Sequence, residues 1–285
     1  KGEIDMGWFY DEARPILKKD PNLLYEAGNN NLVLHKHYFN FRRWPMNDIR
    51  FRRAMWMGAD WKNIVINARA YKSGQYAPTL LDYSEYFNPE AAKLVPSYNP
   101  EEAKKLIKAV EKDAGKKIPP IFWLDTNSAI GKNIAEPAKI QLTQIGVTLN
   151  LQLLSHAIWY EKVLRDPKIE WDMAGYGAGF AVHPAQGFRY FETDSATAVD
   201  GKSLGGYSNP ELDRLIKKIE SATNAEEEKK YVHEAEMVLL KDVASLPLSA
   251  YRMLVGYNKS VKGFKLNNTL NIYPTNPYSN IWIEK

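Results

Sequence analysis

Histidines, paired carboxylates and glycine runs are where chemistry would show in this chain, and each has a plainer reading. The five histidines, His35, His37, His156, His183 and His233, are scattered. Only His35 and His37 share a strand face, and without carboxylates beside them in sequence they suit packing or surface better than a metal site. Adjacent acids, Glu101 with Glu102 and the run 226–228, stand where helices begin, so the helix dipole accounts for them. Gly175, Gly177 and Gly179 alternate after a strand-like segment, but the spacing departs from G-x-G-x-x-G and no helical pattern opens there. There is no nucleophile elbow, no Walker loop and no H-E-x-x-H. The chain has no cysteine, which removes thiol nucleophiles, disulfides and zinc-thiolate sites. No reaction assembles from these residues, and no cofactor or metal is expected.

Composition narrows the class further. Over 285 residues, 38 basic and 34 acidic side chains leave a net charge of +4 spread along the chain, too weak and diffuse for nucleic acid. The hydrophobic and charged fractions, 45% and 25%, are those of an ordinary globular protein. No stretch reaches the roughly 18 uninterrupted apolar residues of a membrane span. Of the 8 Trp, 17 Tyr and 10 Phe some must be core, yet such numbers also suit a pocket that stacks on flat or sugar-like ligands. The opening Lys1-Gly2-Glu3-Ile4-Asp5 has no initiator Met and no signal-peptide pattern, so truncation at the N-terminus is expected.

The elements that would position a site alternate between helix and strand. A short helix over 12–19 and strands over 23–26 and 32–39 come first. Asn47 or Asp48 then caps a helix reaching about Ala59, and Asp60 caps another at Trp61. Residues 72–98 lack periodicity and read as a long loop. Asn99-Pro100-Glu101-Glu102 gives a cap, a first-turn proline and a glutamate three residues after the cap, followed by the stripe Ala103, Leu106, Ile107, Val110. A strand over 121–124 leads to a helix over 129–145 that Gly146 ends, and residues 147–153 alternate cleanly as a strand. Ser155 caps a further helix. A strand over 171–176 runs into an irregular loop reaching Gly206. Two long helices from Pro210 and Ala225 precede strands over 246–250, 253–257 and 273–283. Such alternation predicts an α/β fold with a mixed sheet flanked by helices.

Seven segments, in order, resemble family 5 extracellular solute-binding proteins, the dipeptide, oligopeptide and nickel-binding group that serves ABC importers. Gly2-Glu3-Ile4-Asp5 resembles G-E-[IV]-D. Phe39-Asn40 with Pro45, Asp48, Arg50, Arg52 and Ala54 resembles F-N-x-x-x-x-P-F-x-D-x-R-V-R-x-A. Asn99-Pro100-Glu101-Glu102-Ala103 resembles the D-P-E-K-A helix start, and Gln141 with Ile145-Gly146-Val147 resembles Q-x-x-x-x-I-G-[IV]. Trp171-Asp172 with Pro184 resembles F-D-x-x…D-P, Tyr207-Ser208-Asn209-Pro210-Glu211-Leu212-Asp213 resembles Y-S-N-P-E-[LV]-D, and Val261-Lys262-Gly263-Phe264 resembles V-K-G-[FY]. These are caps, turns and packing residues rather than catalytic ones.

The resemblance implies a periplasmic-binding-protein-like (type II) clamshell of two α/β lobes closing on solute. Residues 1–39 would be the end of lobe I and crossing strands, 40–250 lobe II, and 251–285 the return to lobe I. It implies an extracytoplasmic protein, periplasmic or extracellular, lipid-anchored or free, that hands a peptide or oligosaccharide-like solute to an ABC permease. The missing N-terminal lobe would be its partner in the site. Alternatives of the same fold are a ligand-presenting sensor or chaperone-like binding protein, with a hydrolase behind them. Peptide binders of the family carry an Asp in the loop before the proline matched by Pro184. Here residues 176–183 hold no carboxylate, and Phe180 stands about where that Asp would be. Lys132 matches a carboxylate-binding Arg, keeping the charge without the bidentate fork. The expected ligand-binding set is Tyr176, Phe180, Phe188, Arg189, Lys132 and Trp123. The aromatics are expected to stack, while Arg189 and Lys132 face the cleft and favour neutral or anionic groups.

Overall fold

A computed structural model describes residues 5–9, 13–27, 33–68, 74–79, 86–179, 184–195, 197–251, 254–264 and 281–284. In chain order come β1 (Met6–Phe9), α1 (Arg14–Lys19), β2 (Leu23–Ala27), β3 (Val33–Phe39), α2 (Ile49–Met57), α3 (Trp61–Ala68) and β4 (Gly74–Tyr76). Next are α4 (Pro89–Ala92), α5 (Pro100–Ala114), β5 (Ile121–Thr126), α6 (Ala129–Gln144), β6 (Leu149–Leu154) and α7 (His156–Tyr160), which runs on into a π-helical turn, Glu161–Arg165. Then follow β7 (Met173–Gly179), α8 (Ala185–Phe188), a 3-10 turn over Arg189–Phe191, α9 (Pro210–Ser221) and α10 (Ala225–Lys241). Strands β8 (Ser245–Tyr251), β9 (Leu254–Asn258), β10 (Val261–Lys262) and β11 (Trp282–Ile283) close the chain.

Asparagine and aspartate set most helix starts. Asp48, Asn88, Asn99, Asn209 and Asn224 each accept a first-turn backbone N–H, which satisfies donors that a helix leaves unpaired. At the other end of α5, Gly115 takes φ +64°, a conformation that glycine alone adopts at no steric cost. Gly146, which follows α6, takes φ +93°.

The strands form one six-stranded sheet, ordered β4-β8-β3-β7-β5-β6, and one three-stranded sheet, ordered β1-β9-β2, with β10 and β11 as a small pair. In the larger sheet β5 is parallel to both β6 and β7, while β3 is antiparallel to β7 and β8. Alternation along each strand sends neighbours to opposite faces. Phe39 and Trp123 enter one core, covered by α2, α3, α5 and α6, and Tyr38 and Leu124 enter the other, covered by α9 and α10. The stripe Leu212, Leu215, Ile216, Ile219 of α9 is wholly inside, each such side chain contributing roughly 1.5–3 kcal/mol by burial.

Two features differ from the periodicity. The expected loop over 72–98 contains β4 and α4. The first pairs Gly74, Gln75 and Tyr76 with β8 while Tyr76 packs against the core, and the second is one turn capped by Asn88 and opened by Pro89. Three and four residues are too few to show a period. Of the strand expected over 273–283, residues 273–280 lie outside the described residues, and β11 covers Trp282–Ile283. The smaller sheet draws on residues before 28 and after 253, whereas β3, expected among the crossing strands, is central in the larger sheet.

Candidate functional site

Strands β5, β6 and β7 run the same way and end at Thr126, Leu154 and Gly179, on the sheet edge where β3 begins and β8 ends. Ligands of open α/β sheets bind beyond the carboxyl ends of parallel strands. Helices α6 and α7 start at this edge. Ser128 Oγ accepts from Gly131 N at 3.1 Å and Ser155 Oγ from Ile158 N at 3.4 Å. The 16-residue α6 directs its positive dipole end here, and Lys132 in its first turn is exposed and makes no ion pair among the described residues. An anionic group is therefore favoured at this place.

A buried polar layer underlies the edge. His37 donates from Nε2 to Asp125 Oδ2 at 2.9 Å, with both side chains fully buried, and Asp125 Oδ1 accepts the Thr126 N–H at 2.7 Å. The pair ties the central strand β3 to β5 across β7. Space for it comes from glycines. A Cβ on Gly175 would sit 2.5 Å from Asp125 Cγ and 2.7 Å from His37 Cδ2, and one on Gly131 would sit 2.9 Å from Asp125 Oδ1. The Trp123 ring meets the His37 ring edge-on, centroids 4.8 Å apart.

On the opposite face of β3, Lys36 is fully buried. Its Nζ lies 5.4, 5.8 and 5.3 Å from the ring centroids of Tyr38, Tyr190 and Phe191. Burial pulls the ammonium down from 10.5 to about 7, against the attraction of the rings. Burial also pushes the Tyr190 phenol up.

Of the six expected ligand-binding residues, Trp123, Phe188, Arg189 and Lys132 have described side chains, and these four stand apart. Trp123 and Phe188 are both fully buried, in the cores on opposite faces of the sheet, so as placed they pack beneath the site rather than offer a stacking surface. Arg189 opens the 3-10 turn and is paired with Glu220 of α9, which raises its pKa through the hydrogen bond. Lys132 stands exposed in the first turn of α6, at the edge. The backbone of Tyr176 lies opposite Lys36 in the β3–β7 register, and Phe180 falls outside the described residues. Lys36, Asp125 and Gly131 were not singled out by the sequence. Their signal was a lysine or aspartate inside an apolar strand, Leu34-His35-Lys36-His37-Tyr38 and Ile121-Phe122-Trp123-Leu124-Asp125.

Comparison with known proteins fits this architecture. Residues 1–198 match the middle part of the bacterial extracellular solute-binding proteins, family 5. The chain belongs to that family. Among curated relatives, the di/tripeptide-binding protein 2 of Pseudomonas aeruginosa is 26% identical over 260 residues, covering 88% of this chain and 46% of that protein. The probable D,D-dipeptide-binding periplasmic protein DdpA of Escherichia coli is 24% identical over 277 residues, covering 95% and 51%. The chain thus spans about half the length of the curated relatives it matches. Among solved structures, the oligopeptide-binding protein AppA of Bacillus subtilis, in complex with a nonapeptide, superposes with a TM-score of 0.82 at 18% identity, over 100% of this chain and 57% of that one. NikZ of Campylobacter jejuni, in complex with Ni(L-His), gives 0.81 at 21%, over 98% and 57%. The fold is therefore that of a type II periplasmic binding protein.

The motif residues of the family hold the lobe together. Arg52, 4% exposed, donates to the carbonyls of Met46, Val243 and Asp242 at 2.7, 3.0 and 2.6 Å, with its guanidinium 4.2 Å from the Phe41 ring centroid. Burial draws its pKa down to about 10. Asp172 accepts from Arg43 Nε at 2.6 Å and from Phe122 N at 2.8 Å. Tyr207 and Asn209 both donate to Asp242 Oδ2, at 2.5 and 2.9 Å.

Proposed function

We propose that this protein is the solute-binding component of an ABC importer, working outside the cytoplasm and holding a short peptide or oligosaccharide-like solute between two lobes. It binds without chemistry and delivers to a membrane permease. The observation that carries the reading is the edge where β5, β6 and β7 end, with Lys132 exposed and unpaired among the described residues in the first turn of α6, in a chain of the family. The relatives' names support peptides in particular. Lys132 would take the solute's carboxylate or another anionic group. With no carboxylate in residues 176–183, an α-amino group has no partner in that loop, and Phe180 with Tyr176 supplies rings instead.

Calorimetry of the complete protein against di- and tripeptides and oligosaccharides tests this. Saturable binding, compaction on binding and recovery of intact solute are the expected results, and cleavage of the solute or absence of any binding partner overturns the reading. Phe180→Asp in the same protein should weaken the preferred solute by about 0.5–1.5 kcal/mol if the ring stacks on it. Unchanged affinity removes Phe180 from the site.

A further inference from the structure

A cavity of about 380 Å³ opens away from that edge, between β5, β6 and the π-helical turn. Leu124 and Gln152 line its near side, two residues before Thr126 and Leu154 or about 7 Å along the strands, and Phe122 lies about 13 Å back. Its size falls within the roughly 300–1,000 Å³ of small-molecule sites.

Its charges are balanced and mostly uncommitted. Lys162 and Glu170 line it and make no ion pair or side-chain hydrogen bond with any described residue. Arg43 spends Nε on Asp172 at 2.6 Å, and neither of its terminal nitrogens donates to a described residue. Asp166 accepts the Lys168 N–H on Oδ1 at 3.0 Å and nothing described on Oδ2. The side-chain amide of Gln152 is likewise uncommitted. Leu124 and the fully buried Trp171 add apolar wall.

The backbone here is unusual in two ways. Lys162 sits in a π-helical turn, a rare form frequently found at functional sites. Ile169, between the two carboxylates in sequence, holds φ +47°, a conformation that a β-branched residue avoids unless its surroundings impose it. Asn40 Nδ2 helps to impose it, donating to the Ile169 and Trp171 carbonyls at 3.4 and 2.7 Å. Glu170, which lines the cavity, lies between those two bonded residues. Plain solvated surface charge needs neither feature.

We propose that this cavity is a second solute site that takes a small zwitterion, an α-amino acid with an apolar side chain. Its carboxylate meets Arg43 and Lys162, its ammonium meets Asp166 and Glu170, and its side chain lies against Phe122 and Leu124. A lone anion or cation would meet two groups of its own sign, whereas a zwitterion satisfies both pairs at once.

The test is titration calorimetry of the complete protein with L-leucine, leucinamide, which lacks the carboxylate, and N-acetylleucine, which lacks the ammonium. Leucine should saturate the site, with each analogue at least about tenfold weaker, the equivalent of 1.4 kcal/mol. The double variant Lys162→Met, Glu170→Gln should lose leucine binding while keeping the parent melting temperature, because both side chains are exposed. No saturation by leucine up to about 10 mM, equal affinity for all three compounds, or undiminished leucine binding in the double variant would each overturn the proposal. The last outcome would place leucine at the strand-end site instead.

Discussion

Lys36→Met should make the protein more stable at neutral pH. The ammonium is fully buried on the central strand, and burial lowers its pKa from 10.5 to about 7. One pKa unit is worth about 1.4 kcal/mol, so keeping Lys36 in the folded chain near pH 7 costs roughly 4 kcal/mol relative to an unperturbed lysine. Contacts with the three rings at 5.3 to 5.8 Å return part of this, on the order of 1–2 kcal/mol for a desolvated cation. Methionine has similar length, no charge and favourable contact with aromatic rings, so the swap should gain about 2–3 kcal/mol at pH 7. The sign with pH follows from proton counting. Between about 7 and 10.5 the unfolded chain holds the Lys36 proton and the folded chain does not, so Lys36 makes stability rise with pH across that window. Below about 7 both states are protonated and the full cost remains. Urea unfolding of parent and variant from about pH 6 to pH 10 measures both effects, and the difference between the two proteins cancels every other titrating group. The variant's advantage should shrink steadily above pH 7. A constant difference across the range, or a variant less stable than the parent at pH 7, would refute the reasoning.

Gly175→Ala should destabilise by about 1–3 kcal/mol, because its Cβ would stand 2.5 Å from Asp125 Cγ and 2.7 Å from His37 Cδ2 in a pair with no exposed surface into which to shift. A lower urea midpoint at unchanged slope is the expected result, and an unchanged midpoint would show that the pair has room. Arg52→Met should cost roughly 3–5 kcal/mol by leaving the buried carbonyls of Met46 and Val243 without their donor. Arg52→Lys should recover only part of it, since an ammonium cannot reproduce the planar fork, and thermal melts of the two variants separate loss of charge from loss of geometry.

Local rules carried most of the fold. The helix starts at Asp48, Asn99, Asn209 and Ser155 were legible because a cap acts on donors two or three residues away. Gly146 was legible for the same reason, a positive φ at the end of a helix. What escaped was set by distant partners. β4 exists because Gly74, Gln75 and Tyr76 meet β8, and no period fits in three residues. His37 reads as an isolated histidine until β7 closes between β3 and β5 and brings it to Asp125, 88 residues away in sequence. Trp123 and Phe188 both count among the aromatics expected to stack because both neighbour the strand-end loops in sequence, but alternation along the strand and the turn of α8 send them into different cores.

The motifs that carry the family resemblance and the residues proposed to meet a solute are different sets, for a physical reason. Arg52, Asp172, Tyr207 and Asn209 satisfy buried polar groups at the joints of the lobe, where leaving one unpaired costs about 1–3 kcal/mol. Those joints are the same whatever is bound, so they recur as spacing and residue type. At the edge beyond β5, β6 and β7 the described side chains differ. There Lys132 is exposed and unpaired among the described residues, and His37, Asp125 and Gly175 fix the strands beneath without reaching solvent. Under the proposed function, a buried layer beneath exposed polar side chains would let the solute change by substitution at the edge while the fold keeps its shape. AppA and NikZ share this fold and hold a nonapeptide and a nickel-histidine complex respectively, so the fold by itself does not fix the solute.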